Sequence, residues 1–385
     1  MGMIPALAQH PRTRLTAAAD LRPEPLQKFA QEFGAETFRD AADLCESPNV
    51  DAVYISTPHQ FHAPHATMAA EHGKHVIIEK PMALTLEECD AIIAAAERHG
   101  VNLIVGHTAS YNPAVRKMRE IVASGELGPL GLITISAYTN FLYRPRRPEE
   151  LDTALGGGII YNQVPHQIDA VRLVAGGMVR SVRAITGVWD EARPTEGSYA
   201  AMLQFQDSAG AVLTYSGYDH FDTTEFRSWI DKTQERPTLE VHGQARKMIR
   251  DLGGAEGEVQ RLADWGYGGP GRGGLREAGG GGVWQGELGN MIVSCHRGDI
   301  RLAGDGLWLY TNQGKRGLPV TREGGMPGRG DVLDELCSAV FEGKPLVHHG
   351  RWAKATLAVC LAVLQSAREG REVAVQHQVP TTDLL

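Results

Sequence analysis

Over the first 106 residues, short apolar runs alternate with helix-length stretches, and this alternation narrows the fold more than any other feature. Leu15–Ala19 reads as a short strand ending at Asp20, and Glu24–Phe33 as a helix closed by Gly34. Ala52–Ile55 reads as a buried strand broken by Ser56-Thr57-Pro58. Pro64–His72 reads as a helix that stops at Gly73, and Val76–Ile78 as the next strand. Thr85 and Glu88 form a capping box. The helix they open puts Leu86, Cys89, Ile92, Ile93 and Ala96 on one face and ends at Gly100. Val101–Val105 is again strand-like. Strands separated by helices of about 10–15 residues predict an α/β, doubly wound parallel sheet.

The chain opens on a helix, Ile4–Gln9, where a dinucleotide-binding unit has a strand and a G-x-G-x-x-G turn. Gly2 alone does not replace three glycines. A start codon placed too far downstream, a truncated chain or a different fold would each account for this. Asp20 stands where the acidic residue for a ribose belongs. Taken alone, it reads as a turn or cap aspartate, with Pro23 close behind.

After Gly106 the pattern changes. Val115–Ser124 reads as one more helix. Strands then follow at Leu132–Tyr138, Val179–Trp189, Tyr199–Gln206, Ala211–Gly217 and Leu239–His242, without helices between neighbours. That predicts an α+β unit with a large, mainly antiparallel open sheet. The glycine-rich stretch 253–282 carries no phosphate-loop pattern and reads as a long, mobile surface loop. Asp331–Phe341 and Trp352–Arg368 read as helices that pack back on the body. The expected division is 1–107, 108–330 and 331–385.

A net charge of −8 argues against nucleic-acid binding. No apolar run approaches the roughly 20 residues that span a membrane, and the N-terminus has no signal-peptide pattern. Cys45, Cys89, Cys295, Cys337 and Cys360 are scattered, with no C-x-x-C pair. They read as reduced thiols of a cytoplasmic protein, and no metal site is expected. His348-His349 reads as a solvated pair near a loop.

Two stretches carry candidate chemistry. In His75-Val76-Ile77-Ile78-Glu79-Lys80-Pro81 an apolar strand delivers a carboxylate and an amine to its end, where ligands bind in open α/β sheets. An amine held there can be tuned for proton transfer. The plain alternative is an exposed lysine paired with its neighbour. In Gly156–Asp169 the glycines let backbone approach a ligand. If the following segment is helical, Asn162, His166 and Asp169 share a face. The plain alternative is a satisfied buried histidine, with Asp169 capping or pairing with Arg172.

Taken together, Ser56-Thr57-Pro58-His59 with His62, Gly73-Lys74-His75-Val76 leading to Glu79-Lys80-Pro81, and the glycine stretch with His166 and Asp169 resemble the Gfo/Idh/MocA family of nicotinamide-dependent oxidoreductases. The resemblance covers nearly the whole chain. It implies a Rossmann-like first domain and a second domain whose open sheet serves oligomer contacts, as a homodimer or homotetramer. It implies Lys80 and His166 as catalytic residues. Asp20, Thr57, Pro58, His59, His62, Glu79 and Lys80 would line the cofactor. The cofactor would be NAD, with Arg22 leaving room for the 2′-phosphate of NADP. Asn162 stands where relatives commonly carry aspartate, and Ser110 where they carry arginine. Within the family the chain is most similar to phthalate 4,5-dihydrodiol dehydrogenases, through Thr57–His62, Phe141–Asp152 and Asn162–Gln167. That similarity implies oxidation of a carboxylated cyclic cis-dihydrodiol to a catechol. Tyr143, Arg144, Arg146, Arg147 and Asn162 would meet the small-molecule substrate, because guanidinium groups pair with carboxylates in bidentate fashion. A solvated basic loop is the plain reading of the arginines. A sugar or inositol dehydrogenase, and a non-catalytic binding or regulatory protein, are the alternative functions.

Overall fold

The computed structural model describes residues 3–106, 109–218, 220–223, 226, 241–271, 288–303, 306–320 and 328–381. The first part runs α1 (Met3–Gln9), β1 (Ala17–Ala19), α2 (Pro23–Phe33), β2 (Glu36–Phe38), α3 (Ala41–Glu46), β3 (Ala52–Ile55), α4 (His62–Glu71), β4 (His75–Ile78), α5 (Leu86–His99), β5 (Leu103–Val105) and α6 (Pro113–Ser124). Its strands pair in parallel, as β1–β2 and as β3–β4–β5. The local causes are visible in the sequence. Gly34 and Gly100 close α2 and α5 in the left-handed conformation, and both halves of the Thr85/Glu88 capping box form. Val76, Ile77 and Ile78 are buried on both faces of the sheet. Burial of each such side chain contributes roughly 1.5–3 kcal/mol, so β4 is a rigid base for the residues that follow it.

The second part adds β6 (Leu130–Tyr138), α7 (Gly158–Asn162), α8 (Val164–Ala175), β7 (Val179–Gly187), β8 (Ser198–Phe205), β9 (Gly210–Ser216), α9 (Val241–Asp251), α10 (Ala255–Trp265), β10 (Asn290–Cys295), β11 (Gly298–Leu302), β12 (Gly306–Thr311), β13 (Gly314–Pro319), α11 (Arg329–Glu342), α12 (Gly350–Glu369) and β14 (Val373–Ala374). One mixed sheet runs β13-β12-β11-β10-β6-β9-β8-β7-β14 and is antiparallel except between β6 and β9. Along β6, Ile133, Ile135 and Ala137 point into the core while Leu132 faces out. That is the period-2 pattern of a half-covered strand.

Helices α11 and α12 pack back onto the first part. Val332, Leu333 and Leu336 meet Met3, Ala6, Ile77 and Ile104 in one cluster. Residue 349 forms an antiparallel bridge with Ile104.

Several expectations change. The sequence reading contains neither β2 and α3 nor β10 to β13. β13 reads Gly-Lys-Arg-Gly-Leu-Pro, an exposed edge strand with little β-propensity, held by its hairpin pairing with β12. The glycine-rich stretch is not a simple loop: α10 occupies 255–265, anchored by a buried ion pair described below. Residues 272–282 of that stretch lie outside the described residues. Of the strand expected at Leu239–His242, Val241 and His242 open helix α9, and the rest lies outside the described residues. Among the described residues no helix is long and apolar enough to cross a membrane.

Candidate active site

Strand β4 ends at Ile78, and Glu79 and Lys80 follow at once. Glu79 accepts a 2.6 Å hydrogen bond from Tyr54 Oη of the neighbouring strand β3. Lys80 reaches the other way. Its Nζ donates to the backbone oxygen of Asn162 at 2.8 Å, across 82 residues of sequence. The lysine at the strand end therefore faces the glycine-histidine segment of the second part.

That segment comes close because Gly156 has no side chain. A Cβ there would lie 2.6 Å from Leu84 and 2.8 Å from His59 Nδ1, and φ is +84°. His59 Nδ1 donates instead to Gly156 O at 3.0 Å. Burial first, and the Lys80 charge second, push His59 down to about 3, so its ring is neutral at physiological pH. The Asn162 amide folds back and donates to Gly158 O at 2.8 Å and Gly156 O at 3.3 Å.

His166 lies on α8 and is buried. Burial and then Lys80 push its imidazole down to about 3, with Asp169 and Glu79 acting in the opposite sense. The ring is therefore a neutral proton acceptor. The expected single helix face is divided. α7 ends at Asn162, α8 starts at Val164, and Gln163 sits between them. Asp169 turns away from a catalytic role. Its Oδ2 accepts from Ser110 N at 2.8 Å and its Oδ1 from Trp352 Nε1 at 2.7 Å.

Behind Asp169 lies a buried chain that the sequence reading did not contain. Ser110 Oγ contacts His348 Nε2 at 2.7 Å, and His348 Nδ1 contacts Glu335 Oε2 at 2.7 Å. Burial alone would raise the Glu335 carboxyl; the His348 contacts override it and hold the carboxyl at about 2. Ser-His-Glu order at these distances resembles a hydrolytic triad. Ser110 and His348 are both buried, however, so no substrate reaches the hydroxyl. This corrects the solvated reading of His348: its ring is 1% exposed and stacks on Tyr111 at 3.8 Å. Ser110, standing where relatives carry arginine, was the one available signal.

The arginine-rich stretch divides as well. Arg146 is buried. Its Nη2 donates to Phe141 O at 2.9 Å, its Nη1 lies 3.4 Å from Glu150, and its guanidinium covers the Phe141 ring at 3.9 Å. Burial lowers it to about 10, still charged at neutral pH. Arg147 pairs with Glu149 and Glu150. Arg144 is exposed and approaches only the Phe141 ring, at 5.5 Å, in the contacts the structure gives it. Tyr143 donates to Asp190 at 3.0 Å and carries Arg246 over its ring at 4.0 Å. Beneath this rim, Arg193 and Glu258 form a buried bidentate pair at 2.8 and 2.7 Å, and Glu258 also accepts from Arg146 N at 2.9 Å. Glu258 ties α10 to the rim.

Toward the cofactor expected from the sequence, Asp20 ends β1 and holds Arg22 at 2.9 Å. Burial opposes the Arg22 contacts, and those contacts win, keeping the Asp20 carboxyl below its usual range. Thr57, Pro58 and His59 follow β3, and Glu79 and Lys80 follow β4. A carboxylate after one strand and an amine after another have the chemistry expected for the ribose and nicotinamide ends of NAD. The expected glycine turn has no counterpart among the described residues. His62 is the exception in this set: it is fully buried, with both ring nitrogens against backbone carbonyls. Among the described residues no cluster of three or more His, Cys, Asp or Glu is placed to hold a metal ion.

Comparison with known proteins bears on the family and the fold. Residues 2–107 match the model of an oxidoreductase family with an NAD-binding Rossmann fold, and residues 115–249 match the GFO/IDH/MocA C-terminal domain. The 1-carboxy-3-chloro-3,4-dihydroxycyclohexa-1,5-diene dehydrogenase of Comamonas testosteroni is 38% identical over 96% of this chain and 92% of its own length. A provisionally named dehydrogenase from Bordetella bronchiseptica RB50 has a solved structure that superposes with a TM-score of 0.88. It is 44% identical and covers 97% of this chain and 95% of its own. The myo-inositol 2-dehydrogenase of Thermotoga maritima is 29% identical over 53% of this chain and 63% of its own length.

Proposed function

The chain belongs to the Gfo/Idh/MocA family of NAD-dependent oxidoreductases, and from that premise we propose that it oxidises a carboxylated cyclic cis-dihydrodiol to a catechol. The observation that supports the proposal is the 2.8 Å reach of Lys80 to Asn162 O, which brings the end of β4 to the segment that leads into His166. The Comamonas testosteroni relative, whose name describes a carboxylated dihydroxycyclohexadiene, supports this substrate class. We assign residues 1–107 to cofactor binding, 108–330 to substrate and subunit contacts, and 331–385 to the helical brace.

Bound NAD⁺ supplies the hydride acceptor. The chain's own residues do the rest. Asp20 and the turns after β3 and β4 hold the dinucleotide. Lys80 orients the hydroxyl of the reacting carbon. His166 takes that hydroxyl's proton. A base with so low a pKa suffices here, because the hydroxyl becomes strongly acidic as hydride leaves its carbon. Arg144 holds the ring carboxylate, a charge-assisted contact that also orients the ring. The hydroxy-ketone then enolises: the proton on its neighbouring carbinol carbon leaves, the carbonyl oxygen gains a proton, and the ring becomes the aromatic catechol. Two hydrogens have left in total, one as hydride and one as a proton, and aromaticity drives the sequence.

The test is NADH formation from NAD⁺ with cis-3,4-dihydroxycyclohexa-1,5-diene-1-carboxylate, set against a panel of neutral polyols that includes myo-inositol. Turnover is expected with the carboxylated diol. Faster turnover of a polyol would overturn the substrate class, and no calorimetric NAD⁺ binding would overturn the enzymatic reading. Assembly on the open sheet face belongs to the same proposal. Leu132, Ile185, Met202, Val212 and Ile292 are exposed there, which supports a homodimer or homotetramer. A monomer in sedimentation would remove it.

A further inference from the structure

His62 has the chemistry of a site residue in the sequence and a different position in the structure. It opens α4, directly after the turn that carries Thr57, Pro58 and His59. Its ring is fully buried, so it cannot touch a ligand that enters from solvent. Nδ1 lies 2.8 Å from Pro81 O, and Nε2 lies 2.9 Å from Thr57 O. One oxygen belongs to the residue after Lys80. The other belongs to the turn after β3. The two turns lie side by side because β3 and β4 pair in parallel, with Ile55 opposite Ile78. The ring of His62 sits between the two turns and contacts a carbonyl of each.

Carbonyl oxygens only accept, and a neutral imidazole carries one N–H. Carried on Nδ1, that N–H donates to Pro81 O and ties the β4 turn to the start of α4, just beyond the β3 turn. Only the imidazolium could serve both carbonyls at once. Glu79 and Lys80 on the β4 turn and His59 on the β3 turn are the charged or titratable groups around it. Burial lowers the imidazole's pKa, and the two carbonyls oppose that.

We propose that His62 is a positioning residue, a buried donor that clips the turn after β3 to the turn after β4 and so holds Lys80 toward Asn162 and His166. This rests on the reading of Lys80 as a catalytic residue. A misplacement of about 1 Å of a reacting group costs on the order of a hundredfold in rate. The clip is therefore expected to show in turnover rather than in substrate affinity.

Two substitutions of similar length separate donation from space filling. His62→Gln retains an amide with two N–H donors. His62→Met has none, but its flexible chain adapts to irregular gaps. With the carboxylated dihydrodiol as substrate, His62→Met is expected to lower kcat by tenfold or more while KM for the diol stays within about threefold. His62→Gln is expected to recover most of the loss. NAD⁺ affinity, read by calorimetry without substrate, should weaken in the Met variant and recover in the Gln variant, because Thr57 lies at the cofactor turn. If Met is tolerated and Gln is not, the residue only fills space and the proposal is overturned. His62→Leu replaces the Met variant if that one does not fold. Lys80→Met is run in parallel. If it keeps wild-type turnover, the reading of Lys80 fails and the clip with it. If it is inactive while His62→Met remains fully active, the clip alone fails.

Discussion

The floor of the cleft and its rim are built from similar charged side chains that are used in opposite ways. On the floor, Lys80 bridges two parts of the chain through a bond to a backbone oxygen, and the neutral His166 stands nearby. At the rim, three arginines fall within four positions, yet Arg146 and Arg147 are held by carboxylates and carbonyls of their own neighbourhood. The floor joins two distant parts of the chain, whereas the rim pairs most of its charges within its own neighbourhood. A cluster of like charges in sequence therefore overstates the recognition a surface can offer, because each buried charge first needs a partner.

The strongest way to break this comparison is at Glu258. It neutralises buried Arg193 and also accepts from Arg146 N. Removing one member of a buried pair costs about 3–5 kcal/mol because the other charge stays buried. Glu258→Ala should therefore lower the unfolding free energy by about that much in denaturant titration. Little loss of stability would mean that the rim is not self-consumed. Lys80→Met tests the floor. Turnover should fall roughly a hundredfold or more with NAD⁺ binding nearly intact, the scale of a positioned acid–base group. Wild-type turnover would remove Lys80 from the chemistry.

Acid sharpens the contrast at His166. Its folded pKa of about 3 lies below the 6.5 of an ordinary imidazole. Between those values the unfolded chain binds the proton and the folded chain does not. Stability contributed by the neutral ring is thus full above pH 6.5 and is lost as pH falls toward 3. From pH 8 to pH 5 this amounts to about 2 kcal/mol. His166→Asn should flatten the slope of unfolding free energy over that interval by the same amount, and an unchanged slope would show that the ring is protonated in the folded protein.

How much of this was legible follows the same division. β4 and its Glu79-Lys80 terminus, the Thr85 capping box and the closing glycines are local signals, and they appear in the structure where the sequence reading puts them. β10 to β13 were missed although they form consecutive hairpins, with Thr311 opposite Gly314. β13, Gly-Lys-Arg-Gly-Leu-Pro, has neither the β-branched content nor the alternation that marks a strand. His348 was misread for another reason. Its partners Ser110 and Glu335 are 238 and 13 residues away, and no spacing rule joins the three. His62 could be picked out by type and place, but its burial between two carbonyls is a property of paired strands. The face shared by Asn162, His166 and Asp169 depended on one continuous helix, and the change at Gln163 breaks it.

The smallest expected effect bears on the comparison most directly, since it separates two arginines two positions apart. Arg144 is exposed, so Arg144→Ala should leave the thermal midpoint within about 1 °C, consistent with surface substitutions staying near ±0.5 kcal/mol. It should raise KM for the carboxylated diol by about 5–10-fold, the worth of one charge-assisted contact in a partly wet site. A neutral polyol lacks the carboxylate, so its KM should not change. Arg146→Ala should do the reverse. It abandons the bond to Phe141 O, the contact with Glu150 and the packing on the Phe141 ring, at a cost in stability of about 1–3 kcal/mol. Its effect on KM should then be no larger for the carboxylated diol than for a polyol. If both variants raise KM selectively for the carboxylate, the rim recognises substrate as a cluster and its contrast with the floor disappears. If neither does, the carboxylate is read elsewhere, and Arg246, stacked on Tyr143, is the next cation to replace.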